Sequence, residues 1–308
     1  MERIYDMVVI GGGPGGYTAA LYAARAGMKV ILLEKLSAGG QMALSNQIDN
    51  YPGFEDGIDG FTLGEKMQQQ AERFGAETEL AEVTAVRLDS DIKEIETSEG
   101  AFYGKTVVIS TGANPRELGV PGEKKLVGSG IHYCAACDGM FYKGKTVVVV
   151  GGGNTAAADA MILSRVAKKV IIVHRRDTLR ATKIYHAPLM NAPNVEFRWN
   201  SAVSQLLYDS KVAGVKIRDV NTGEESVVDC DGVFVSIGRA PASGLAAGQL
   251  TLDSSGYIIA DESTRTNLPG VFAVGDVRTK VQRQVVTAVA DGAMAAHYAE
   301  EYLADTSS

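Results

Sequence analysis

The sequence predicts an α/β fold, because an apolar strand, a glycine-rich turn and a helix follow one another twice along the chain. The first copy has a strand at residues 7–10, the turn GGGPGG at residues 11–16 and an alanine-rich helix. The second copy has a strand at residues 146–150, the turn GGGNTA at residues 151–156 and another helix. A further apolar strand follows each helix, so each copy is predicted to be a βαβ unit with a parallel sheet and a right-handed crossover.

The glycines of these turns meet specific physical needs. In a G-x-G-x-x-G turn the first glycine permits the tight bend, the second lets the backbone approach a pyrophosphate, and the third packs the helix on the strand. The free N–H groups and the positive dipole at the helix amino terminus then favour the phosphates. One such motif is weak evidence, but two in the same strand–helix setting predict two Rossmann-like dinucleotide-binding domains.

The residue after the second strand of each copy distinguishes the two nucleotides. Glu34 and His174 lie at the same offset from the first glycine of their motif. An acid at this position hydrogen-bonds a ribose hydroxyl, whereas a base accommodates a 2′-phosphate. We therefore expect Glu34 to face the adenosine ribose of FAD. The second copy continues from His174 to Arg175, Arg176 and Arg180, which suits NADPH, and a solvated charge cluster is the alternative.

The carboxyl-terminal part of the chain returns to the first domain. An apolar strand ends there in Gly275 and Asp276, and an acid at a strand end before a helix can bind the polyol linker of a flavin. The second domain is therefore predicted to be inserted into the first. The predicted boundaries are 1–116 and 245–308 for the FAD-binding domain and 117–244 for the NADPH-binding domain.

A cysteine pair precedes the second glycine turn. Cys134 and Cys137 are separated by two residues, a spacing that allows a small disulfide ring and commonly lowers a thiol pKa. Exchange then proceeds by thiolate attack through a mixed disulfide. Asp138, the next residue, is placed to donate or accept the proton of a thiol. A zinc half-site that includes His132 and two unpaired buried thiols are the other interpretations.

Composition and charge narrow the classes of function. The chain has 308 residues, 45% of them hydrophobic and 22% charged, which is ordinary for a globular protein of two domains. A net charge of −7 argues against general nucleic-acid binding, which a basic face favours. No apolar run reaches membrane-spanning length and no secretory signal is visible, so we expect a cytoplasmic protein without a membrane partner. The third cysteine, Cys230, stands apart on a strand-like segment and is expected to pack in the core.

These motifs together carry a family resemblance. CAACDG stands before GGGNTA, HRRD follows, and VFAVGDVR comes near the carboxyl end. In this order and spacing the sequence resembles the bacterial low-molecular-weight thioredoxin reductases over nearly its whole length. The resemblance implies that NADPH reduces FAD, that FAD reduces the Cys134–Cys137 disulfide, and that the dithiol reduces thioredoxin or a thioredoxin-like protein. It also implies a homodimer, and a flavin-facing role for Cys137.

The resemblance and the motifs assign candidate site residues. The expected catalytic residues are Cys134, Cys137 and Asp138, and no metal ligands are expected. The residues expected around FAD are Gly11, Gly13, Pro14, Gly16, Glu34, Gly40, Gln41, Asn50, Thr111, Gly112, Gly275, Asp276, Arg283 and Gln284. The residues expected around NADPH are Gly151, Gly153, Asn154, Thr155, His174, Arg175, Arg176 and Arg180.

The chain departs from the family pattern at two places. The spacer between the cysteines is Ala135-Ala136, where the family usually has Ala-Thr, and Ala158 stands where a carboxylate is common. The second departure bears on the nicotinamide contacts. Two other functions stay open, a flavin-dependent oxidase of small dithiols and an NADPH–flavin electron carrier. The cysteine pair disfavours the carrier, and the arginine cluster disfavours the oxidase.

Overall fold

The computed structural model describes residues 3–45 and 47–306 of the chain. The chain forms two compact units, one of residues 1–114 and 240–308 (unit 1) and one of residues 115–239 (unit 2). The boundaries drawn from the sequence lie after residues 116 and 244. Among the described helices, none is both long enough and apolar enough to span a membrane.

The bounds of the elements are as follows. The strands are β1 (Ile4–Ile10), β2 (Val30–Glu34), β3 (Glu77–Leu80), β4 (Val83–Arg87), β5 (Lys93–Thr97), β6 (Gly100–Ile109), β7 (Ala113–Pro115), β8 (Ile131–His132), β9 (Thr146–Val150), β10 (Lys169–Val173), β11 (Val195–Arg198), β12 (Ser201–Tyr208), β13 (Val212–Asp219), β14 (Glu225–Asp229), β15 (Gly232–Val235), β16 (Arg239–Pro241) and β17 (Val271–Ala273). The α-helices are α1 (Pro14–Arg25), α2 (Gly60–Glu72), α3 (Ala135–Asp138), α4 (Asn154–Ser164), α5 (His186–Asn191) and α6 (Val285–Thr306). Short 3₁₀ helices cover Gly40–Leu44, Lys124–Leu126, Gly139–Tyr142, Lys183–Tyr185, Gly244–Ala246 and Gly275–Val277.

Unit 1 is built on a sheet whose described strands follow the order β3-β2-β1-β6-β5-β4, with β17 also paired to β6. Strands β1, β2, β3, β6 and β17 run parallel, whereas β4 and β5 extend the sheet as an antiparallel pair. Because the parallel strands end at one edge, the turns after β1, β6 and β17 lie side by side. This edge is where the ligand site of an open α/β sheet is formed.

The two faces of this sheet bury different residues. Successive side chains of a strand point to opposite faces. Met7 and Val9 therefore pack in the cluster that contains α1 and α6, and Val8 and Ile10 pack in the opposite cluster. Helices α1 and α6 can approach closely because Gly292 has no Cβ; a Cβ there would overlap the carbonyl oxygen of Gly15 in α1.

Unit 2 repeats this arrangement in a smaller form. The order of its parallel strands, within the described part, is β11-β10-β9-β15-β8. Helix α4 covers one face, where Val147 and Val149 are buried, and the antiparallel sheet of β12, β13 and β14 covers the other, where Val148 and Val150 are buried. Cys230 is buried in this second cluster, and burial raises the pKa of its thiol to about 12.

The predicted α/β fold with two glycine-turn βαβ units is confirmed. The element ends differ slightly from the prediction. Strand β1 begins at Ile4, before the predicted strand at residues 7–10, because its first residues pair with β6. The helix after the second glycine turn was expected to run to about residue 166, but α4 ends at Ser164 and the chain then turns toward β10. The hydrophobic pattern did not mark these ends, because they are fixed by neighbouring strands and turns.

Candidate active site

The first glycine loop joins β1 to α1 at the carboxyl edge of the parallel sheet. Gly11 has a φ of +105°, and a Cβ there would collide with the backbone carbonyl of Ser110. A Cβ on Gly16 would overlap the carbonyl oxygen of Gly11, so both positions require glycine. In contrast, a Cβ on Gly13 would meet no atom within 4 Å. The space in front of the loop is therefore open.

Helix α1 begins at Pro14 without a capping side chain. Gly13 is the N-cap residue, no side chain accepts from the free N–H groups, and the first turn has no acidic residue. Proline suits the first helical position because its φ is preset and it has no N–H to satisfy. The uncapped helix and the open space before it fit the pyrophosphate of a dinucleotide.

Glu34, the last residue of β2, faces the first loop. Its Oε2 accepts a hydrogen bond from the N–H of Gly12 at 2.6 Å, and its Oε1 accepts one from the N–H of Leu36 at 3.1 Å. A carboxylate has about four acceptor positions. Glu34 is thus oriented by the backbone and retains acceptor capacity for a ribose hydroxyl.

The segment after β2 folds back onto the same loop. The Gly39 N–H donates to the Gly12 carbonyl at 2.8 Å. This contact brings Gly40 against the loop, where its own Cβ would be within van der Waals distance of the loop backbone. Gln41 follows, and its Nε2 donates to Oδ1 of Asn114 at 3.1 Å. The structure therefore groups Gly40 and Gln41 with the glycine loop.

The turns after β6 and β17 also lie at the carboxyl edge of the parallel sheet of unit 1. Thr111 donates its hydroxyl to the Ala242 carbonyl at 2.6 Å, and the Ala242 N–H donates to the Gly112 carbonyl at 2.9 Å. Gly275, with a φ of +71°, begins the turn after β17, and Asp276 is half-buried within it. These residues lie with the first glycine loop because their strands are neighbours in the parallel sheet.

A buried network holds the Gly275 turn against α6. The Asp291 carboxylate accepts from the Gly275 N–H at 2.8 Å, from Arg278 at 2.7 and 2.9 Å, and from Lys280 at 2.7 Å. Burial would raise the pKa of Asp291, but the hydrogen bonds from Arg278 and Lys280 outweigh burial and lower it. The sequence analysis missed this network. Its only signal in the sequence was an aspartate within the mostly apolar first half of α6.

The other two residues predicted for the flavin lie just before α6. The Arg283 guanidinium is 4.0 Å from the Tyr257 ring centroid and donates to the carbonyls of Asp276 and Arg278. The Gln284 side chain accepts from Nδ2 of Asn50 at 3.0 Å. Arg283 is thus attached to the Asp276 turn, and Asn50 and Gln284 form a pair.

The second glycine loop joins β9 to α4 and repeats the geometry of the first. Gly151 has a φ of +140°, and a Cβ there would collide with the Ser236 carbonyl. Gly153 is the N-cap of α4, with no capping side chain and no acid in the first turn. A Cβ on Gly153 would meet no atom within 4 Å, and Asn154 and Thr155 are exposed. The second loop therefore also fits a pyrophosphate.

His174 lies differently from Glu34. Its ring is buried against Gly152, where it occupies the position that a Cβ would take, and its Nε2 has no hydrogen-bond partner among the described residues. Burial lowers the pKa of His174, and the nearby charges of Arg175, Arg176 and Arg180 lower it further. His174 is consequently neutral at pH 7, and any positive charge offered to a 2′-phosphate must come from the arginines.

The three arginines are exposed and lie beside the second loop. The Arg180 N–H donates to the Gly152 carbonyl at 2.7 Å, which folds the segment after β10 back onto the loop. Arg175 and Arg176 come directly after His174 in the same segment. Exposed guanidinium groups beside a phosphate-binding loop fit the 2′-phosphate of NADPH, because guanidinium binds phosphate oxygens in a bidentate manner.

The cysteine pair lies on the short helix α3 of unit 2. Cys134 and Cys137 form a disulfide, with a Cα–Cα distance of 5.3 Å, so neither is an unpaired thiol in this state. Cys134 is the N-cap residue of α3, and its Sγ accepts a hydrogen bond from the Cys137 N–H at 3.2 Å. Both cysteines are partly exposed, which leaves them accessible to a partner. Within the described residues, no cluster of three His, Cys, Asp or Glu side chains has the geometry of a metal site.

Asp159, on α4, supports the start of α3. Burial raises the pKa of its carboxyl group, opposed by hydrogen bonds from the Ser236 hydroxyl and the Ala135 backbone. The Ser236 hydroxyl lies 2.5 Å from Oδ2 of Asp159. Asp159 therefore links the second glycine-loop helix to the redox helix, although the neighbouring position, Ala158, has no carboxylate.

Comparisons with known proteins decide the family. A model of the pyridine nucleotide-disulphide oxidoreductases matches residues 5–292. The thioredoxin reductase of Peptoclostridium acidaminophilum is 45% identical over 98% of both chains, and that of Streptomyces coelicolor is 46% identical over 99% of this chain and 95% of its own. The crystal structure of the thioredoxin reductase from Streptococcus pyogenes has a TM-score of 0.91 at 42% identity, with 99% of this chain and all of that chain covered.

The chain belongs to the thioredoxin reductases.

Membership in the thioredoxin reductases confirms the predicted activity and cofactors. The chain is an NADPH-dependent thioredoxin-disulfide oxidoreductase that uses FAD. This result disfavours both alternative functions, an NADPH–flavin electron carrier and a flavin-dependent dithiol oxidase.

Proposed function

We propose that unit 1 binds FAD, that unit 2 binds NADPH, and that the cysteine pair of unit 2 transfers the electrons to thioredoxin. The observation that carries this proposal is the disulfide between Cys134 and Cys137, placed beside Asp138 in the unit with the arginine-flanked glycine loop. When bound, FAD accepts the hydride of NADPH and supplies two electrons to the disulfide. The remaining chemistry belongs to side chains of the chain itself.

In unit 1, Gly11, Gly13, Pro14 and Gly16 would hold the pyrophosphate of FAD at the uncapped start of α1. Glu34, oriented by the Gly12 N–H, would accept a hydrogen bond from the adenosine ribose. The other residues proposed to hold FAD come from the neighbouring turns: Gly40, Gln41, Asn50, Thr111, Gly112, Gly275, Asp276, Arg283 and Gln284. The open space in front of Gly13 supports this assignment.

In unit 2, Gly151, Gly153, Asn154 and Thr155 would hold the pyrophosphate of NADPH at the uncapped start of α4. The guanidinium groups proposed to bind the 2′-phosphate are those of Arg175, Arg176 and Arg180. His174 is neutral and buried, so we propose that its ring shapes the pocket behind Gly152. Its Nε2 has no hydrogen-bond partner among the residues described.

The two cysteines divide the thiol–disulfide exchange between them. Cys134 receives the Cys137 N–H at its sulfur, and a hydrogen bond to sulfur stabilises a thiolate. We assign Cys134 as the thiolate that attacks the disulfide of thioredoxin and Cys137 as the sulfur that faces the flavin. Asp138 supplies and removes the proton of the sulfur that leaves or forms.

The surface next to the pair suits an apolar partner. Met140 and Phe141 follow Asp138-Gly139 and are 59% and 42% exposed. Exposed apolar side chains beside a reactive group commonly mark a docking surface. We propose that thioredoxin contacts Met140 and Phe141 while its disulfide meets Cys134.

We also propose that the chain acts as a homodimer in the cytoplasm. The family resemblance supports the dimer, and half-exposed apolar side chains on the helices of unit 1, Tyr22 and Phe61, offer surface for one. NADPH-dependent reduction of a disulfide suits a compartment that keeps thiols reduced. Analytical ultracentrifugation of the FAD-loaded protein would give twice the mass of the chain, and a monomer would contradict the dimer.

The proposed division of labour is tested by single cysteine variants. Cys134→Ser leaves a Cys137 thiolate beside oxidised flavin, so we expect a long-wavelength charge-transfer absorbance that disappears on acidification. Cys137→Ser should lack this absorbance. Neither variant should sustain NADPH-dependent reduction of thioredoxin, although both should still accept hydride at the flavin.

The control is Cys230→Ala, which removes the buried thiol of unit 2 that forms no disulfide and should keep NADPH-dependent reduction of thioredoxin. The measurements are the absorbance spectrum of each holoenzyme and the thioredoxin-coupled oxidation of NADPH. A charge-transfer absorbance only in Cys137→Ser would reverse the assignment of the two sulfurs. Full thioredoxin reduction by either variant would remove the pair from the mechanism.

A further inference from the structure

A buried histidine lies behind the cysteine pair. His132 is the last residue of β8 and is 7% exposed. Its Nδ1 lies 2.9 Å from Oδ2 of Asp138, and its Nε2 lies 2.7 Å from the hydroxyl oxygen of Tyr142. The ring stacks on Phe234 with a centroid distance of 5.2 Å. Both nitrogens are therefore occupied, and the ring cannot turn without losing two hydrogen bonds.

We propose that His132 is a positioning residue for the thiol–disulfide reaction. It orients the carboxylate of Asp138, the residue that follows Cys137, and keeps a hydrogen bond to this carboxylate whether or not the carboxylate carries a proton. The inference rests on the proposed role of Asp138 as the acid–base group of the pair.

The two hydrogen bonds that join Asp138, His132 and Tyr142 can run in either direction. When Asp138 is ionised, Tyr142 donates to Nε2 and the Nδ1–H of His132 donates to the carboxylate. When Asp138 is protonated, its O–H donates to Nδ1 and the Nε2–H donates to the Tyr142 oxygen. Both ring nitrogens of His132 keep a hydrogen-bond partner in either arrangement. Since an unpaired buried polar group is costly, the ring stays in place and keeps the Asp138 carboxylate oriented in both arrangements.

The groups that face His132 and Tyr142 from the surrounding elements define what else can titrate there. They are Asp138, Cys230 and Asp231 before β15, and Lys145, whose Nζ lies 5.3 Å from the Tyr142 ring centroid. Burial, then Asp138, Cys230 and Asp231, raise the pKa of Tyr142 to about 12. Tyr142 therefore keeps its proton through neutral pH and acts as a hydrogen-bonding partner.

The proton balance of the reaction requires such a group. Breaking the Cys134–Cys137 bond consumes two electrons, supplied from NADPH through the flavin, and two protons, and it yields two thiols. Oxidation of that dithiol by the thioredoxin disulfide re-forms the bond and passes both electrons and both protons to the thioredoxin thiols. We assign the relay of one of these two protons to Asp138. Asp138 takes this proton from solvent and donates it to a cysteine sulfur when the bond breaks. When the bond re-forms, Asp138 accepts the proton from the cysteine thiol and passes it to a thioredoxin sulfur.

The experiment compares His132 variants in the FAD-loaded enzyme. His132→Leu removes both hydrogen bonds, whereas His132→Asn keeps a donor at the position of Nδ1. We expect His132→Leu to lower kcat for thioredoxin reduction about tenfold, because the side chain that orients the Asp138 carboxylate is lost. The KM for NADPH should stay unchanged. His132→Asn should recover kcat to within about threefold of wild type. His297→Leu is the matched control, because His297 also lies beside a carboxylate, Glu301, but is exposed on α6.

A double-variant cycle separates positioning from folding. If His132 acts through Asp138, Asp138→Asn combined with His132→Leu should be no slower than Asp138→Asn itself, because both changes remove the same proton transfer. Multiplicative losses in kcat would overturn the inference. Thermal unfolding and flavin content of each variant are measured in parallel, and His132→Asn carries the comparison if His132→Leu does not fold.

A second readout does not depend on turnover. The enzyme is reduced with dithiothreitol, and the rate at which iodoacetamide alkylates the pair is followed from about pH 6 to about pH 9. The midpoint of this pH profile should shift in the same direction in His132→Leu and Asp138→Asn, and it should stay unchanged in His297→Leu. An unshifted profile in His132→Leu would overturn the inference. A wild-type enzyme that does not reduce thioredoxin with NADPH would instead overturn the proposed function.

Discussion

The two glycine loops of the chain share a backbone but present different side chains. In the first loop the Glu34 carboxylate accepts the Gly12 N–H at 2.6 Å. In the second loop the neutral ring of His174 is packed against Gly152, and its Nε2 has no hydrogen-bond partner in the part of the chain that the structure describes. We therefore propose that Glu34 hydrogen-bonds a ribose directly in unit 1. In unit 2 we propose that His174 only shapes the pocket and that the residues after it recognise the nucleotide.

The segment that returns to each loop differs in the same way. The Gly12 carbonyl accepts the N–H of Gly39, and the Gly152 carbonyl accepts that of Arg180. The same backbone contact therefore delivers Gly40 and Gln41 to the first loop and an arginine cluster to the second. We infer that specificity for a dinucleotide comes from this returning segment and from the residue that follows or ends the second strand of each unit.

The largest effect is expected from removing the charges of the second loop. Replacing Arg175 and Arg176 together by Ala removes two charge-assisted contacts of about 1.5–3 kcal/mol each. Discounted for exposure, this corresponds to a loss on the order of a hundredfold in the preference for NADPH over NADH. The measurement is kcat/KM for both nucleotides, with the exposed Arg218→Ala as control. A wild type that uses both nucleotides equally would make the cluster an ordinary surface feature.

The sequence predicts the two glycine loops but not the surroundings of His174. The two loops were predictable because only glycine satisfies the backbone at positions such as Gly11 and Gly151. The burial of His174 was not, because a histidine next to two arginines suggests a solvated position. Its surroundings depend on Gly152, which offers no side chain and so leaves room for the ring.

Contacts between distant residues were the other part that the sequence did not reveal. The Asp291–Arg278 network that holds the Gly275 turn depends on how α6 packs, and no local pattern shows such packing. His132 was recognised as a neighbour of the cysteines, but its pairing with Asp138 depends on the direction of α3. Chemical type and spacing thus predict which residues take part, and three-dimensional packing decides how they are oriented.

A smaller effect is expected at the first loop. Glu34→Gln keeps the size of the side chain but replaces the charged carboxylate, which accepts the Gly12 N–H and is proposed to accept the ribose hydroxyl, by a neutral amide. One charge-assisted hydrogen bond corresponds to a loss of roughly tenfold in the affinity for FAD. The test is titration of the FAD-free protein with FAD, followed by flavin fluorescence. Glu99→Gln, at an exposed turn of unit 1, is the control, and equal losses in both variants would contradict a specific role for Glu34.

The smallest effect concerns stability and pH. The pKa of His174 lies below its ordinary value of 6.5 in the folded chain. The unfolded chain therefore binds a proton at His174 first as the pH falls, so the folded state loses stability below about pH 6.5 by at most about 1.4 kcal/mol per pH unit. His174→Gln should remove this component of the pH dependence.

Trp199 provides the probe for that measurement, because it is the single tryptophan and its ring lies 6.3 Å from that of His174. Denaturant unfolding is followed by Trp199 fluorescence at about pH 7.5 and about pH 5.5. The exposed His297→Gln serves as the control. The same loss of stability at low pH in wild type and in His174→Gln would show that His174 does not titrate as its burial requires.

The central claim is that one chain joins two nucleotide sites to one redox disulfide, and a reductive titration tests it most directly. The FAD-loaded protein is titrated with NADPH or dithionite without oxygen while the flavin absorbance is followed. Since flavin and disulfide are each two-electron couples, the wild type should take up about four electrons per chain, and Cys134→Ser or Cys137→Ser about two. A wild type that takes up only about two electrons would contradict the account, because the Cys134–Cys137 pair would then not exchange electrons with the flavin.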